Sequence, residues 1–339
     1  MSYIEAGSPF LSPSESTKPM LQAIKYMKPD FYLDDIDVWS SSGPLMSLLA
    51  FCNGEARKNV FLYAAVIHDT LIIDRFRYPN TADIKGFLSD QHMPQEVSPN
   101  FGMRFEEDFT KWPKGLEESR SHTRIIQYRI GNLNCMLPVG VDACWEPASE
   151  EVKSALPEGQ HLVNPYLGSD TVIIPRGVAN HSPTVEIKSG TIDVKHWPQM
   201  WFSRNQKMLR ANVFKLGKDG SALVDAVHVS DATVGILEWE SLEQVPLRRL
   251  ATLLHRLREI VQESSYKHCF ISQVMTPGAP LEVFEARHND RPVPDHIVPS
   301  FWRAGPRDTP NSSPSGSKAG SKPQFSVEND SQTRRDDLD

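Results

Sequence analysis

The chain has 339 residues, 39% hydrophobic and 23% charged, enough apolar material for a sizeable core beneath an ordinary surface. Its net charge of −7 excludes a generally basic nucleic-acid coat, although a local basic channel depends on a patch rather than on the sum. Four scattered cysteines (Cys52, Cys135, Cys144, Cys269), with no Cys-x-x-Cys pair, point to reduced thiols in an intracellular protein and away from a disulfide framework or a zinc site. No secretory signal is expected from the first residues, and no apolar run is long enough to span a membrane.

Residues 1–20 are rich in Ser, Pro and Gly and read as a flexible segment. One domain is expected over 21–302. In chain order, "VFLYAAVIHDTLIID" (Val60–Asp74) reads as two strands turning at His68-Asp69. "SPNFGMRFEEDFTKW" places Phe101, Phe105, Phe109 and Trp112 at helical spacing, with Asp108 nearest that aromatic face and Glu106 on its flank. "TRIIQYRI" (Thr123–Ile130) runs through Gly131-Asn132 into "LNCMLPVGVDAC", a hairpin with Asp142 at its end. "TVIIP" (Thr171–Pro175) and "TVEIKS" (Thr184–Ser189) are further strands, and "SALVDAVHV" (Ser221–Val229) follows a turn at Asp219-Gly220. "LEQVPLRRLATLLHRLREIVQESS" is a helix with Pro246 in its first turn and Leu247, Leu250, Leu254, Leu257 and Val261 on one face. Its arginines (Arg248, Arg249, Arg256, Arg258) read as a solvated face. From Arg303 the sequence is nearly free of large apolar residues, so 303–339 is expected to be a disordered tail. The mixture implies an α/β or α+β fold, a mixed sheet flanked by helices.

Alternation puts Glu186 and Lys188 on one face of their strand, with Val185 and Ile187 on the other. That is an ordinary half-buried strand, or the Glu-x-Lys of a metal-dependent nuclease. A Mg²⁺ or Mn²⁺ site needs hard oxygen ligands converging from separate elements. Glu106 or its neighbours Glu107 and Asp108, with Asp142 and Glu186, supply such a set. The other constellations are poorer. No HExxH, Walker loop or Gly-x-Ser-x-Gly elbow occurs, and "LDDID" (Leu33–Asp37) lacks the spacing of a prenyl-synthase diphosphate site.

The order helix acid, strand Asp, Glu-x-Lys resembles the PD-(D/E)XK nuclease superfamily. More narrowly it resembles the DXO-like RNA 5′-end decapping and exonuclease family, in its divergent fungal form. "GMRFE" (Gly102–Glu106) matches the family's helix motif, "EIK" (Glu186–Lys188) its Glu-hydrophobic-Lys motif, and "GVD" (Gly140–Asp142) half of its Glu-hydrophobic-Asp motif. "WPQMWFSRNQKML" (Trp197–Leu209) stands where the family has a tryptophan-rich helix leading to a glutamine. "DDIDVWSSSGPLMSLL" (Asp34–Leu49) resembles its Trp-Arg-Gly segment.

The resemblance implies a PD-(D/E)XK-like mixed sheet and Mg²⁺ or Mn²⁺ held by Glu106, Asp142 and Glu186. It implies catalysis by Lys188 and Glu186, and RNA contacts from Trp201, Arg204 and Gln206, with Arg204 or Gln206 at the family's glutamine position. The implied partners are an RNA 5′ end and a protein such as an exonuclease, in the nucleus or cytoplasm. Two departures stand against it: Gly140 replaces one acid ligand, and Ser42 replaces the phosphate-holding arginine. The expectation is therefore an RNA 5′-end hydrolase with a partly degenerate site. The alternative is a non-catalytic relative that binds RNA or protein.

Overall fold

The computed structural model describes residues 17–55, 59–75, 101–112, 122–145, 182–189, 196–215, 222–276, 278–286, 292–293, 295–303 and 325–327. They form two mixed sheets and seven helices.

The larger sheet is built around β1 (Val38–Ser40), whose burial leaves none of its three residues exposed. β1 pairs in parallel with β3 (Thr70–Arg75) on one side and β5 (Leu133–Gly140) on the other. β2 (Val60–Ile67) turns through His68-Asp69 into β3, and β4 (Thr123–Ile130) turns through Gly131-Asn132 into β5, as the sequence predicts. Gly131 has φ +61, a left-handed conformation that suits glycine in a tight hairpin. β10 (His268–Gln273), β11 (Leu281–Glu285) and β12 (Phe325–Val327) extend the sheet beyond β2, in the order β12-β11-β10-β2-β3-β1-β5-β4.

Alternation divides this sheet's side chains between two cores. Val38, Leu71, Ile73, Cys135 and Leu137 face α2 (Ser42–Cys52) and α6 (Gln244–Glu263). Trp39, Ile72 and Met136 face a smaller core with Leu21 of α1 (Lys18–Met27) and Phe301 of α7 (Val298–Phe301). On α6, Leu250, Leu254, Leu257 and Val261 are fully buried, and Pro246 sits buried in the first turn. The arginines of α6 are tied within the fold: Arg258 pairs with Asp37 at 2.8 Å, Arg249 donates to the Cys52 carbonyl, and Arg256 pairs with Glu259.

The smaller sheet has the order β6-β7-β8-β9: β6 (Ala143–Cys144), β7 (Thr184–Ser189), β8 (Lys207–Lys215) and β9 (Ala222–Asp231). One face, carrying Ile187, Leu209, Ala211 and Val224, packs on Phe105 of α3 (Phe101–Phe109). The other carries Met208 against Met200 of α4 (Trp197–Ser203) and Ile236 of α5 (Thr233–Leu242). The sheets are joined where Val141 and Asp142 lead from β5 into β6, and by the Tyr128 hydroxyl, which donates to the Phe202 carbonyl at 2.9 Å.

Five departures from the sequence expectations stand out. The helix α1 begins at Lys18, inside the segment read as flexible, because Pro19 and Leu21 are buried. α5 was not anticipated, since its apolar residues do not repeat on one face; Val234, Leu237 and Leu242 are exposed while Trp239 enters the core. Asp108 and Glu107 are exposed and Glu106 is half-buried, the reverse of the order expected around the aromatic face. That face is shorter than predicted: Phe105 is 3% exposed but Phe109 is 47% exposed. Within the tail, Phe325–Val327 pairs antiparallel with β11; residues 304–324 and 328–339 lie outside the described residues, as does the strand expected at 171–175.

A three-residue edge strand adds little burial, while closing a long connection to it costs entropy. Truncation after Arg303 should therefore shift the melting temperature by no more than about 2 °C. Hydrogen exchange of the β11 amides should nevertheless accelerate, because their sheet becomes an open edge; unchanged exchange would show that β12 does not protect it.

Candidate active site

The site forms where the two sheets meet. β1, β3 and β5 run parallel, so their carboxyl ends lie together, the end at which open α/β sheets bind ligands. The chain leaves β5 there, and Asp142 follows two residues later. Its Oδ2 accepts the backbone N–H of Ile187 at 2.9 Å, pinning the turn to the middle of β7.

Glu186 is the centre of the arrangement. β7 is not a half-buried surface strand: Thr184 to Ile187 are all buried, and Glu186 is only 2% exposed. A carboxylate taken so far from water needs compensating partners. It has three, all donors. Lys188 Nζ and Gln199 Nε2 (2.5 Å) donate to Oε1, and Asn205 Nδ2 donates to Oε2 at 2.8 Å. Both of its oxygens therefore accept, from one charged and two neutral donors. Asn205, fully buried, is held in this orientation because its Oδ1 accepts the Thr184 hydroxyl. Lys188 keeps a foot in solvent, with a side chain 24% exposed.

Asp142 is in the opposite condition. Burial first, then the charges of Glu186 and Glu106, push its carboxyl up to about 7; the Ile187 N–H and the Lys188 ammonium oppose this without cancelling it. A carboxyl raised by burial and by two acidic neighbours has more negative charge around it than the one ammonium of Lys188 offsets. That condition and the all-oxygen donor chemistry fit a hard divalent cation. The ligand set is nonetheless open: among the described residues no three His, Cys, Asp or Glu side chains converge as a metal-binding group. Gly140, the last residue of β5, has nothing within 4 Å of where a Cβ would stand.

The chain's relatives can be set beside this geometry. A family model described as Domain of unknown function (DUF8563) matches residues 8–302. The chain belongs to that family. No curated protein matches it. Its fold is that of fungal Rai1 structures. Rai1 of Scheffersomyces stipitis, in complex with (3′-NADP)⁺ and calcium ion, superposes with a TM-score of 0.54 at 16% identity, over 84% of this chain and 80% of that one. Rai1 of Candida albicans, in complex with pU5-Mn²⁺, gives 0.51 at 13% identity, over 85% and 81%. The fold expected from the DXO-like resemblance is therefore the fold found.

The remaining residues singled out in the sequence fall in different places. Trp201 is 4% exposed, with its ring against Tyr128, Phe202 and Trp239, so it packs the core and offers no face to a base. Arg204 closes α4 in a left-handed conformation, its guanidinium over the Tyr128 and Trp201 rings at 3.9 and 4.4 Å. Gln206 is exposed, and its carbonyl accepts the Ala232 N–H. Neither stands beside Glu186. Gln199 does, together with Asn205, and sequence reasoning missed both. Helical geometry held the signal for Gln199: it lies one turn before the αL cap at Arg204, on the face that carries Ser203. The four cysteines form no disulfide, and burial pushes Cys52 and Cys135 up to about 12.

The raised Asp142 carboxyl sets a pH dependence. Its folded value lies above its unfolded value near 4, so folding favours the protonated form. The stability it contributes is complete below about pH 4 and is lost as pH rises through about 7. Asp142→Asn keeps an acceptor for the Ile187 N–H and removes the charge. In metal-free buffer the variant should melt a few degrees above the wild type at pH 8, with the gap closing toward pH 4. Equal melting curves at pH 8 would show that Asp142 is not held among like charges.

Proposed function

We propose that the protein is a divalent-metal-dependent hydrolase acting on RNA 5′ ends, with a ligand set one acid short. The observation that carries this reading is the pairing of two buried carboxylates in opposite electrostatic states. Glu186 is paired with Lys188 and bonded by two amides, while Asp142 is raised by burial and by Glu186 and Glu106 beyond what Lys188 offsets. Glu106, Asp142 and Glu186 would hold Mg²⁺ or Mn²⁺; the ion would polarise a phosphoryl group and lower the pKa of a bound water. Lys188, whose side chain is 24% exposed, would hold the charge that develops on the phosphoryl oxygens. Gln199 and Asn205 hold Glu186 in place. The pU5-Mn²⁺ bound by the Candida albicans neighbour supports the substrate class, as does the sequence resemblance to DXO-like proteins. The nucleus or cytoplasm would be the setting.

A second reading rests on Gly140. With that acid absent, the same fold serves as an RNA- or protein-binding module without turnover, its partner an RNA 5′ end or an exonuclease. The two are separated by restoring the acid. The space at Gly140 is open, and its φ is not left-handed, so Gly140→Glu should fold with an unchanged melting temperature. Mn²⁺ affinity measured by calorimetry should rise about tenfold, since each added carboxylate strengthens a hard-cation site. Hydrolysis of 5′-triphosphorylated or capped RNA should rise with it, and Asp142→Asn should abolish both. A folded Gly140→Glu that binds Mn²⁺ no better and cleaves no RNA would leave the binding-module reading standing alone.

A further inference from the structure

The face of the smaller sheet that carries Glu186 continues past it. In register, Glu186 stands opposite Met208, and Met208 opposite Ser230. The row after that is Lys188, Arg210 and His228 across β7, β8 and β9. Residues paired directly across strands project from the same face. Three nitrogen-bearing side chains therefore stand side by side, beginning at the site and ending on the exposed edge strand. With strands about 4.8 Å apart, the row is about 10 Å long.

Its surroundings differ from those of the row before it. Met208 is buried under Met200 of α4 and Ile236 of α5. Both helices join the sheet at its Lys207 and Asp231 end, beside the Glu186 row. Lys188 and Arg210 are half-buried and His228 is exposed. Among the described residues, Arg210 and His228 form no ion pair, and Arg210 Nε is buried without a partner. An arginine without an acceptor inside the fold keeps its charge available to a phosphate at its outer nitrogens. The other arginine-rich surface, on α6, is different: Arg249 and Arg258 bond within the fold and Arg256 pairs with Glu259.

We propose that Lys188, Arg210 and His228 form a phosphate-binding row, which leads a single RNA strand from the carboxylate centre to the edge of β9. The inference rests on the RNA-hydrolase reading for the choice of ligand. It adds two residues, Arg210 and His228, outside the metal-and-lysine group. Lys188 meets the phosphate nearest the site, Arg210 the next and His228 the last. All three read backbone charge, so the row is indifferent to base sequence.

The probe is a 5′-phosphorylated oligouridylate of about ten nucleotides with a 3′ fluorophore, its binding followed by anisotropy in EDTA between roughly 50 and 200 mM salt. Arg210→Gln should weaken binding roughly fivefold and make the log–log salt slope shallower by about 0.7, the release expected for one lost phosphate contact on a single strand. His228→Gln should weaken it about twofold, and the double variant should combine the two. Arg210→Lys, which keeps the charge and guards against a folding artefact, should recover most of the slope. Arg256→Gln, on the ion-paired face of α6, should change nothing. The proposal is overturned if the wild type does not bind the probe, if Arg210→Gln leaves the slope unchanged, or if Arg256→Gln matches it. Metal-free binding separates this test from the catalytic reading. Binding with the expected slopes but no hydrolysis with Mn²⁺ upholds the row and removes the enzyme. Hydrolysis with an unchanged slope does the reverse.

Discussion

Everything at the meeting of the two sheets depends on the burial of one negative charge. Glu186 is removed from water in the middle of β7, and a lone carboxylate there would cost several kcal/mol. Three donors from three parts of the chain answer it: Lys188 from the same strand, Gln199 from α4 and Asn205 from the turn into β8. Each donor constrains its own element. Gln199 fixes the rotation of α4, which carries Trp201 and Phe202 into the main core. Asn205 follows a residue in the left-handed conformation and is locked in turn by Thr184, so the α4–β8 turn cannot relax independently of β7. The polar centre and the apolar core are thus positioned by the same short segment, 197–207.

That coupling explains which parts of the molecule were legible in the sequence. Hairpins were readable because their signals are local: Gly131-Asn132 and His68-Asp69 sit between runs of β-branched residues, and both turn where predicted. α6 was readable because its buried leucines keep a helical period. Asp142, Glu186 and Lys188 stood out because strand ends and alternation place them without tertiary knowledge. Gln199 and Asn205 did not, since nothing in "WPQMWFSRNQ" distinguishes an amide aimed at a buried acid from one aimed at water. Trp201 misled for the same reason: an aromatic residue in a helix is written identically whether it packs or presents a ring. α5 was lost because its apolar residues face solvent as often as the core.

The two acids differ in what they ask of their surroundings. Glu186 is complete within the protein, so the fold can form around it without any ion. Asp142 is not. Its backbone bond to Ile187 holds it in place, but its neighbours raise it toward the neutral form. One carboxylate is thus structurally secured, and the other is raised by burial and like charge, a combination that suits a hard cation. Glycine at the end of β5 borders open space and supports nothing that a missing side chain would undermine.

The same logic bears on why the basic row lies where it does. Lys188 is shared between two tasks, neutralising Glu186 on one side and facing solvent on the other. A lysine already committed to a carboxylate is a weak anchor for a polyanion. Arg210 and His228 carry no such commitment among the described residues, and the register of β7, β8 and β9 sets them beside it. In a chain of net charge −7, attraction for a phosphate strand cannot come from the whole surface. It has to be gathered locally, and a sheet gathers charge most directly across its strands, where one residue from each stands in line.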